Sequence, residues 1–306
     1  MGLLLVTLLL ITLAAFLAFQ IIPGDPTTKM LGTEWTPEKA EALRVELGLD
    51  KPAIQRYFLW LAGIFTGNTG RSYSYNMPVS ELIAGKVSIT LVLSAIAFAL
   101  TAGISIPLGL LLARHPGGAL DKMARVINQV TMSIPPFFIG IIFTSVFGSI
   151  LGLFSPGVFV PFAESPLRYL VHVFFAALAI ALPKAAMLLR LFNGSLEAEA
   201  ERDYVRTAYS RGCSGKMALW RHVFKNAIMP VITFLALALG DIIAGSVIIE
   251  QIFAIPGLGR LLLLSISNRD FPVVQIIVVI LASVIVTANF AADAINRAID
   301  PRMRAG

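Results

Sequence analysis

The sequence predicts an all-α membrane protein, and three observations carry that prediction. Of 306 residues, 57% are hydrophobic and 14% charged, where a soluble domain is about half apolar and a quarter charged. The mean hydropathy is +0.82. The apolar residues also gather into runs of about 20, the length a helix needs to cross the hydrocarbon core of a bilayer. Eighteen acidic and 24 basic residues are too few to give a chain of this size a polar skin, which disfavours a soluble enzyme or a disordered segment. Cys213 is the lone cysteine, so no intrachain disulfide forms.

Six runs qualify as spans: Leu3 to Ile22, Ser88 to Ala113, Thr131 to Phe154, Tyr169 to Leu189, Ile228 to Ile249 and Val273 to Ala292. The first is too long for the apolar region of a secretory signal and has no basic residues before it. An even number of spans puts both termini on one side. That side holds 14 of the 24 basic residues when Lys184, inside the fourth span, is counted with the segment that follows it, whereas the two short loops opposite hold only Arg168, Arg260 and Arg269. Short cationic loops stay in the cytoplasm, so both termini are expected there. The net charge of +6 then reflects membrane orientation, and nucleic acid is not needed to explain it.

The chain divides into a first span (1–22), a lobe outside the membrane (23–87) and a five-span core (88–306). In the lobe, Thr36 reads as an N-cap followed by Pro37 and Glu38, and Gly48 closes that helix. A second helix is expected from Pro52 to Phe65. Seven acidic and seven basic residues cancel between Pro23 and Lys86, which gives a neutral lobe: either a cap over the helices or a docking surface for a soluble partner.

The segment 191–227 is the most charged part of the core. Glu197, Glu199, Glu201 and Asp203 precede Arg206, Arg211, Lys216, Arg221 and Lys225, an order that suits a helix dipole. Gly212 and Gly215 interrupt it, so a helix, a turn and a second helix are expected along the membrane surface. Such an element is either a solvated loop or the handle that a cytoplasmic engine grips.

Several chemistries have no residues to carry them. Gly215-Lys216-Met217 lacks the spacing of a phosphate-cradling loop, so ATP chemistry belongs to another chain. His115, His172 and His222 are scattered, and neither a nucleophile elbow nor a paired-carboxylate site is present. No catalytic residue, metal site or cofactor is expected in this chain. Two charges do lie at membrane depth. Asp241 is near the middle of the fifth span, and Lys184 is inside the fourth, roughly 9 Å along the helix from Arg190. Charges in hydrocarbon are costly. Either the two pair or share a hydrated path, or Lys184 reaches the interface while Asp241 bonds nearby backbone.

Strings along the whole chain resemble one family. Gly24-Asp25-Pro26, Leu47-Gly48-Leu49-Asp50-Lys51-Pro52 and Gly67-Asn68-Thr69-Gly70-Arg71-Ser72 resemble the outer start of ABC-type permeases for dipeptides, oligopeptides and nickel. Asp203-Tyr204-Val205-Arg206-Thr207-Ala208 through Arg211-Gly212, then Arg221-His222 and Asn226-Ala227-Ile228-Met229-Pro230, resemble their cytoplasmic coupling loop. Ile249-Glu250, Pro256-Gly257-Leu258-Gly259-Arg260, Asn268-Arg269-Asp270-Phe271-Pro272 and Asp300-Pro301-Arg302 follow in family order.

The resemblance implies one of two homologous permease subunits in a bacterial cytoplasmic membrane, gripped by two ATP-binding cassette ATPases and fed by an extracytoplasmic solute-binding protein. It makes Asp203, Tyr204, Arg206, Ala208, Arg211, Gly212, Arg221 and His222 the ATPase-coupling residues, with Ala208 and Gly212 allowing close approach. Where the wider family has Glu-Ala-Ala-x-x-x-Gly, this chain has Arg206-Thr207-Ala208-x-x-x-Gly212, so no role carries over from that glutamate. Lys184 and Asp241 are the candidates for the translocation path. Peptides are the expected cargo, with a nickel chelate as the alternative. An autonomous channel or ion-coupled carrier using Asp241 is the competing class.

Overall fold

The computed structural model describes residues 2–21, 26–114 and 117–299. His115, Gly24-Asp25 and the Asp300-Pro301-Arg302 string lie outside them. In chain order the helices are α1 (Gly2–Ile21), α2 (Pro26–Leu31), α3 (Pro37–Glu46), α4 (Ala53–Thr66), α5 (Val79–Ile83), α6 (Lys86–Leu112), α7 (Ala119–Ser133) and α8 (Pro136–Phe143). They continue with α9 (Pro166–Ala200), α10 (Asp203–Ser210), α11 (Gly215–Ala218), α12 (Phe224–Ala227), α13 (Met229–Ile252), α14 (Leu258–Ser267) and α15 (Phe271–Ile299). Among the described residues, four helical stretches are long and apolar enough to span a bilayer: α5 with α6 (Val79–Leu112), α9, α13 and α15 as far as Ala292. A bent pair of helices makes a fifth candidate, and α1 carries a shorter apolar stretch over Leu4–Ala18.

The third expected span takes a different form from the run in the sequence. Instead of one helix over Thr131 to Phe154, α7 ends at Ser133 and a second helical piece covers Pro136–Ile150, bent by 98° from the first. Pro135 and Pro136 lack amide hydrogens, and Ile134 before them is forced into an extended conformation with ψ 122°. α7 is amphipathic, with Leu120, Met123, Ile127 and Val130 exposed and Lys122 and Arg125 among them. The last seven residues of the bent piece, Thr144–Ile150, wind as a π-helix.

Two compact units form, one from Met1–Ile89 with Pro256–Thr287 and the other from Thr90–Ile255 with Ala288–Gly306. They follow a different division from the sequence boundaries at 22/23 and 87/88, because Pro256–Thr287 groups with the first 89 residues. In the first unit Thr36 caps α3 by accepting from the Lys39 amide at 3.2 Å, and Gly48 takes φ +66° after it. The second lobe helix is α4, ended by Gly67 at φ +81°. Phe16 of α1 meets the rings of Tyr57 and Trp60 on α4. Val79, Leu258, Leu261, Val273, Ile276 and Ile277 make an apolar core. Two strings far apart in sequence join here. Buried Asp270 accepts from the Ser72 hydroxyl at 2.5 Å and from the amides of Tyr73 at 2.9 Å and Ser74 at 3.2 Å.

The second unit is organised around α9, which packs against α7, α8, α12 and α13. Gly109 of α6 is required by this packing, since a Cβ there would lie 2.5 Å from the Phe192 ring. His172 is buried and hydrogen-bonds the Phe253 carbonyl at 2.7 Å. Thr90 donates to the buried Glu250 at 2.6 Å.

Candidate functional site: the 191–227 segment and an intramembrane ion pair

The acidic start of the segment is placed differently from the sequence expectation. Helix α9 runs on to Ala200, eleven residues past the expected end of the fourth span. Glu197 and Glu199 therefore sit in its last turn, where the helix dipole disfavours them. Local partners compensate. Glu197 pairs with Arg125, which also holds Asp121 at 3.1 Å. The Arg125 guanidinium, followed by the Gly117 amide, keeps the Asp121 carboxyl below the usual carboxylate range. Both carboxylates push Arg125 further toward its cationic form. Asp121 and Arg125 lie near the start of α7, outside the apolar run that begins at Thr131.

Only Asp203 remains at a helix N-terminus, that of α10. Tyr204 then closes a clasp that no local pattern of residues foretells. Its hydroxyl donates to Glu199 at 2.5 Å and accepts from the Asn226 amide at 3.0 Å, so the end of α9 and α12 are tied through one side chain. Burial and the Glu199 carboxylate both raise the Tyr204 phenol above its ordinary range, which keeps it protonated as the donor.

After α10 the chain turns through Gly212 at φ +82°, a conformation that favours glycine. Ser214 caps α11 by accepting from the Met217 amide at 3.4 Å. A π-helical stretch, Leu219–Val223, then leads through α12 toward α13. The inner face of this hairpin is apolar. Val205, Val223 and Ala227 share one core with Leu110 of α6, Leu188, Phe192 and Leu196 of α9, and Val231 of α13. The hairpin is thus built onto three of the membrane-capable helices and is not a free loop.

The expected coupling residues separate into two groups. Asp203, Tyr204, Arg206, Arg211, Gly212 and Arg221 are exposed, His222 is half-buried and Ala208 is buried. Ala208 therefore serves packing within the chain, while Gly212 is open, with nothing within 4 Å of a Cβ placed there. The outer face also carries residues that the sequence reading did not single out, the exposed Tyr209, Met217 and Trp220. Cations and exposed apolar side chains on one rigid hairpin make a surface suited to a protein partner.

Lys184 and Asp241 do meet. Lys184 Nζ lies 2.5 Å from Asp241 Oδ2, linking α9 to α13. At about 1.5 Å per residue, Asp241 is about 18 Å from Met229 and about 16 Å from Ile252, so it sits halfway along its helix. Asn128 makes a second polar bridge to α9, donating to the Ala186 carbonyl at 2.9 Å. Among the described residues, no three His, Cys, Asp or Glu side chains converge as a metal site would require.

Long apolar helices around a buried core, with a structured hairpin carried on them, define a polytopic helical membrane protein. The fold matches a chain of a solved structure described as the crystal structure of an amino acid ABC transporter with histidines. The TM-score is 0.56 and the identity 16%, over 71% of this chain and 94% of that one. The family described as binding-protein-dependent transport system inner membrane component matches residues 105–305, and its N-terminal counterpart matches residues 1–94. The chain belongs to this family: it is a multi-pass inner-membrane transport subunit and not an enzyme. A permease protein of Brucella abortus (strain 2308) is 36% identical over 297 residues, 97% of this chain and 95% of its own length. The oligopeptide transport system permease protein of Bacillus subtilis (strain 168) is 34% identical over 299 residues, covering 97% of this chain and 95% of the relative. The dipeptide transport system permease protein of Lactococcus lactis subsp. cremoris (strain MG1363) is 30% identical over 305 residues, covering 99% and 97%.

Proposed function

We propose that this chain forms half of the translocation path of an ATP-driven importer for di- or oligopeptides, beside a second homologous permease subunit. Two ATP-binding cassette ATPases work on the hairpin side, and a solute-binding protein delivers cargo on the opposite face. The observation that carries this reading is the hairpin Asp203–Ala227. A partner that pulls on its outer face, through Arg206, Tyr209, Arg211 and Trp220, moves α6, α9 and α13 as well, because Val205, Val223 and Ala227 belong to their core. The names of the Bacillus and Lactococcus relatives favour peptides over a nickel chelate. We place both termini in the cytoplasm on the distribution of basic residues. The count of six crossings adds α1 and the bent piece Pro136–Ile150 to the four long helices.

Lys184 and Asp241 then stand at the path or at the face that meets the second permease, since a paired charge at mid-membrane needs a polar or protein neighbour. Reconstitution decides the reading. Proteoliposomes holding both permeases, the ATPases and the binding protein should accumulate labelled peptide only with ATP. Cargo flux through this chain with no ATPase present would overturn the proposal in favour of a channel or ion-coupled carrier.

A further inference from the structure

The unit formed by Met1–Ile89 and Pro256–Thr287 holds a cavity of about 670 Å³ that has no part in the importer reading, a size suited to a small-molecule site. Its wall is divided by chemistry. Phe16 of α1, Trp60 of α4 and Phe271 at the start of α15 make an apolar side, while the other side carries Lys51, Arg56 and Arg44 with the acid Glu46, and Arg44 also pairs with Glu41 at 3.6 Å. An apolar side and a cationic side together suit a ligand that carries both an anionic group and an apolar part.

The surroundings indicate where such a ligand comes from. Phe16 belongs to an apolar helix, and Phe271 opens another that is long enough to span the bilayer. The helix between them, α4, turns Ile54, Phe58 and Phe65 outward and carries Tyr57 and Trp60 on its other positions. An exposed apolar face with aromatic residues alongside is the pattern of a helix lying in the membrane interface. That places the three cations at the depth of lipid headgroups, where guanidinium groups bind phosphate strongly.

We propose that this cavity binds the headgroup of an anionic phospholipid, with its phosphate held by Lys51 and Arg56 and the upper part of its acyl chains laid against Phe16 and Phe271. The site is independent of cargo and of which side of the membrane the lobe faces.

Native mass spectrometry of the full chain in detergent tests this, using phosphatidylglycerol, phosphatidylcholine and inorganic phosphate as separate probes. Phosphatidylglycerol should be retained about tenfold better than phosphatidylcholine. The double variant Lys51→Gln/Arg56→Gln should remove that preference, as expected from loss of charge-assisted hydrogen bonds, while Lys122→Gln on α7 should leave it intact. Lys51→Gln alone changes one exposed side chain of the wall. It should lower phosphatidylglycerol retention about threefold with an unchanged melting temperature, so the proposal does not depend on the double variant folding. Equal retention of the two lipids overturns the proposal, as does unchanged retention in either cavity variant. Inorganic phosphate bound as well as phosphatidylglycerol would mark a site for free anions and would equally overturn it.

Discussion

The pair between Lys184 and Asp241 allows a quantitative test of what surrounds it. The two atoms are 2.5 Å apart, and the side chains are 19% and 66% exposed. If Asp241 faced bulk water, so open a pair would be worth about 1 kcal/mol or less. In hydrocarbon or against a second protein the comparison changes, because a single Lys or Asp at the centre of a spanning helix costs about 2.5–3.5 kcal/mol on insertion scales. Removing one partner leaves the other at that cost, whereas removing both does not. Lys184→Gln and Asp241→Asn should therefore each destabilise the protein by about 2 kcal/mol. The double neutral variant should recover most of that loss, which corresponds to a coupling of about 3–4 kcal/mol. Unfolding in bicelles by added SDS measures all four proteins. Losses that add to within about 0.5 kcal/mol would instead place the pair in open water. The exchanged pair, Lys184→Asp with Asp241→Lys, should be more stable than either single exchange.

Three further outcomes are expected. Gly109→Val should destabilise by about 1–3 kcal/mol in the same assay, because its Cβ would lie 2.5 Å from the buried Phe192 ring, whereas the equivalent change at Gly194, with nothing near, should cost less than half as much. At Gly212 the cost is in the backbone and not in space, so ATP-dependent uptake should fall in the order Gly212→Asn, Gly212→Ala, Gly212→Val, following tolerance of positive φ; equal activities would remove the strained turn from the coupling scheme. The depressed Asp121 carboxyl contributes stability that is complete above the ordinary aspartate range, about 3.9. That stability is lost as pH falls through the range toward the folded value. Acid titration of the melting temperature should show a steeper fall for the native protein than for Asp121→Asn.

The lobe helix α3 could be read from Thr36, Pro37 and Gly48, because caps and breakers act over one turn of chain. The break within the third run could also be read in part, since Pro135-Pro136 forbids a continuous helix, but the 98° bend between its halves depends on packing. In the 191–227 segment the turn at Gly212 followed from glycine's backbone freedom. The end of α9 did not, because the dipole argues against Glu197 and Glu199 in a last helical turn, and they are tolerated there only through Arg125 and Tyr204. Ala208 was expected at a partner surface from the family pattern. It faces inward because α10 turns the Val205 and Ala208 side into the chain's own interior.

Composition and run length alone determined that the chain is a helical membrane protein, since several runs of about 20 apolar residues with too few charges to cover them fit a bilayer and not water, and the order of short strings determined its family. Which distant residues meet was decided by tertiary structure: Lys184 with Asp241, Ser72 with Asp270, and Glu199 with Asn226 through Tyr204. Hydrophobicity acts residue by residue along the chain, while the partner of a charge or hydroxyl is set by how helices rotate and cross, and that is fixed only when their apolar faces pack.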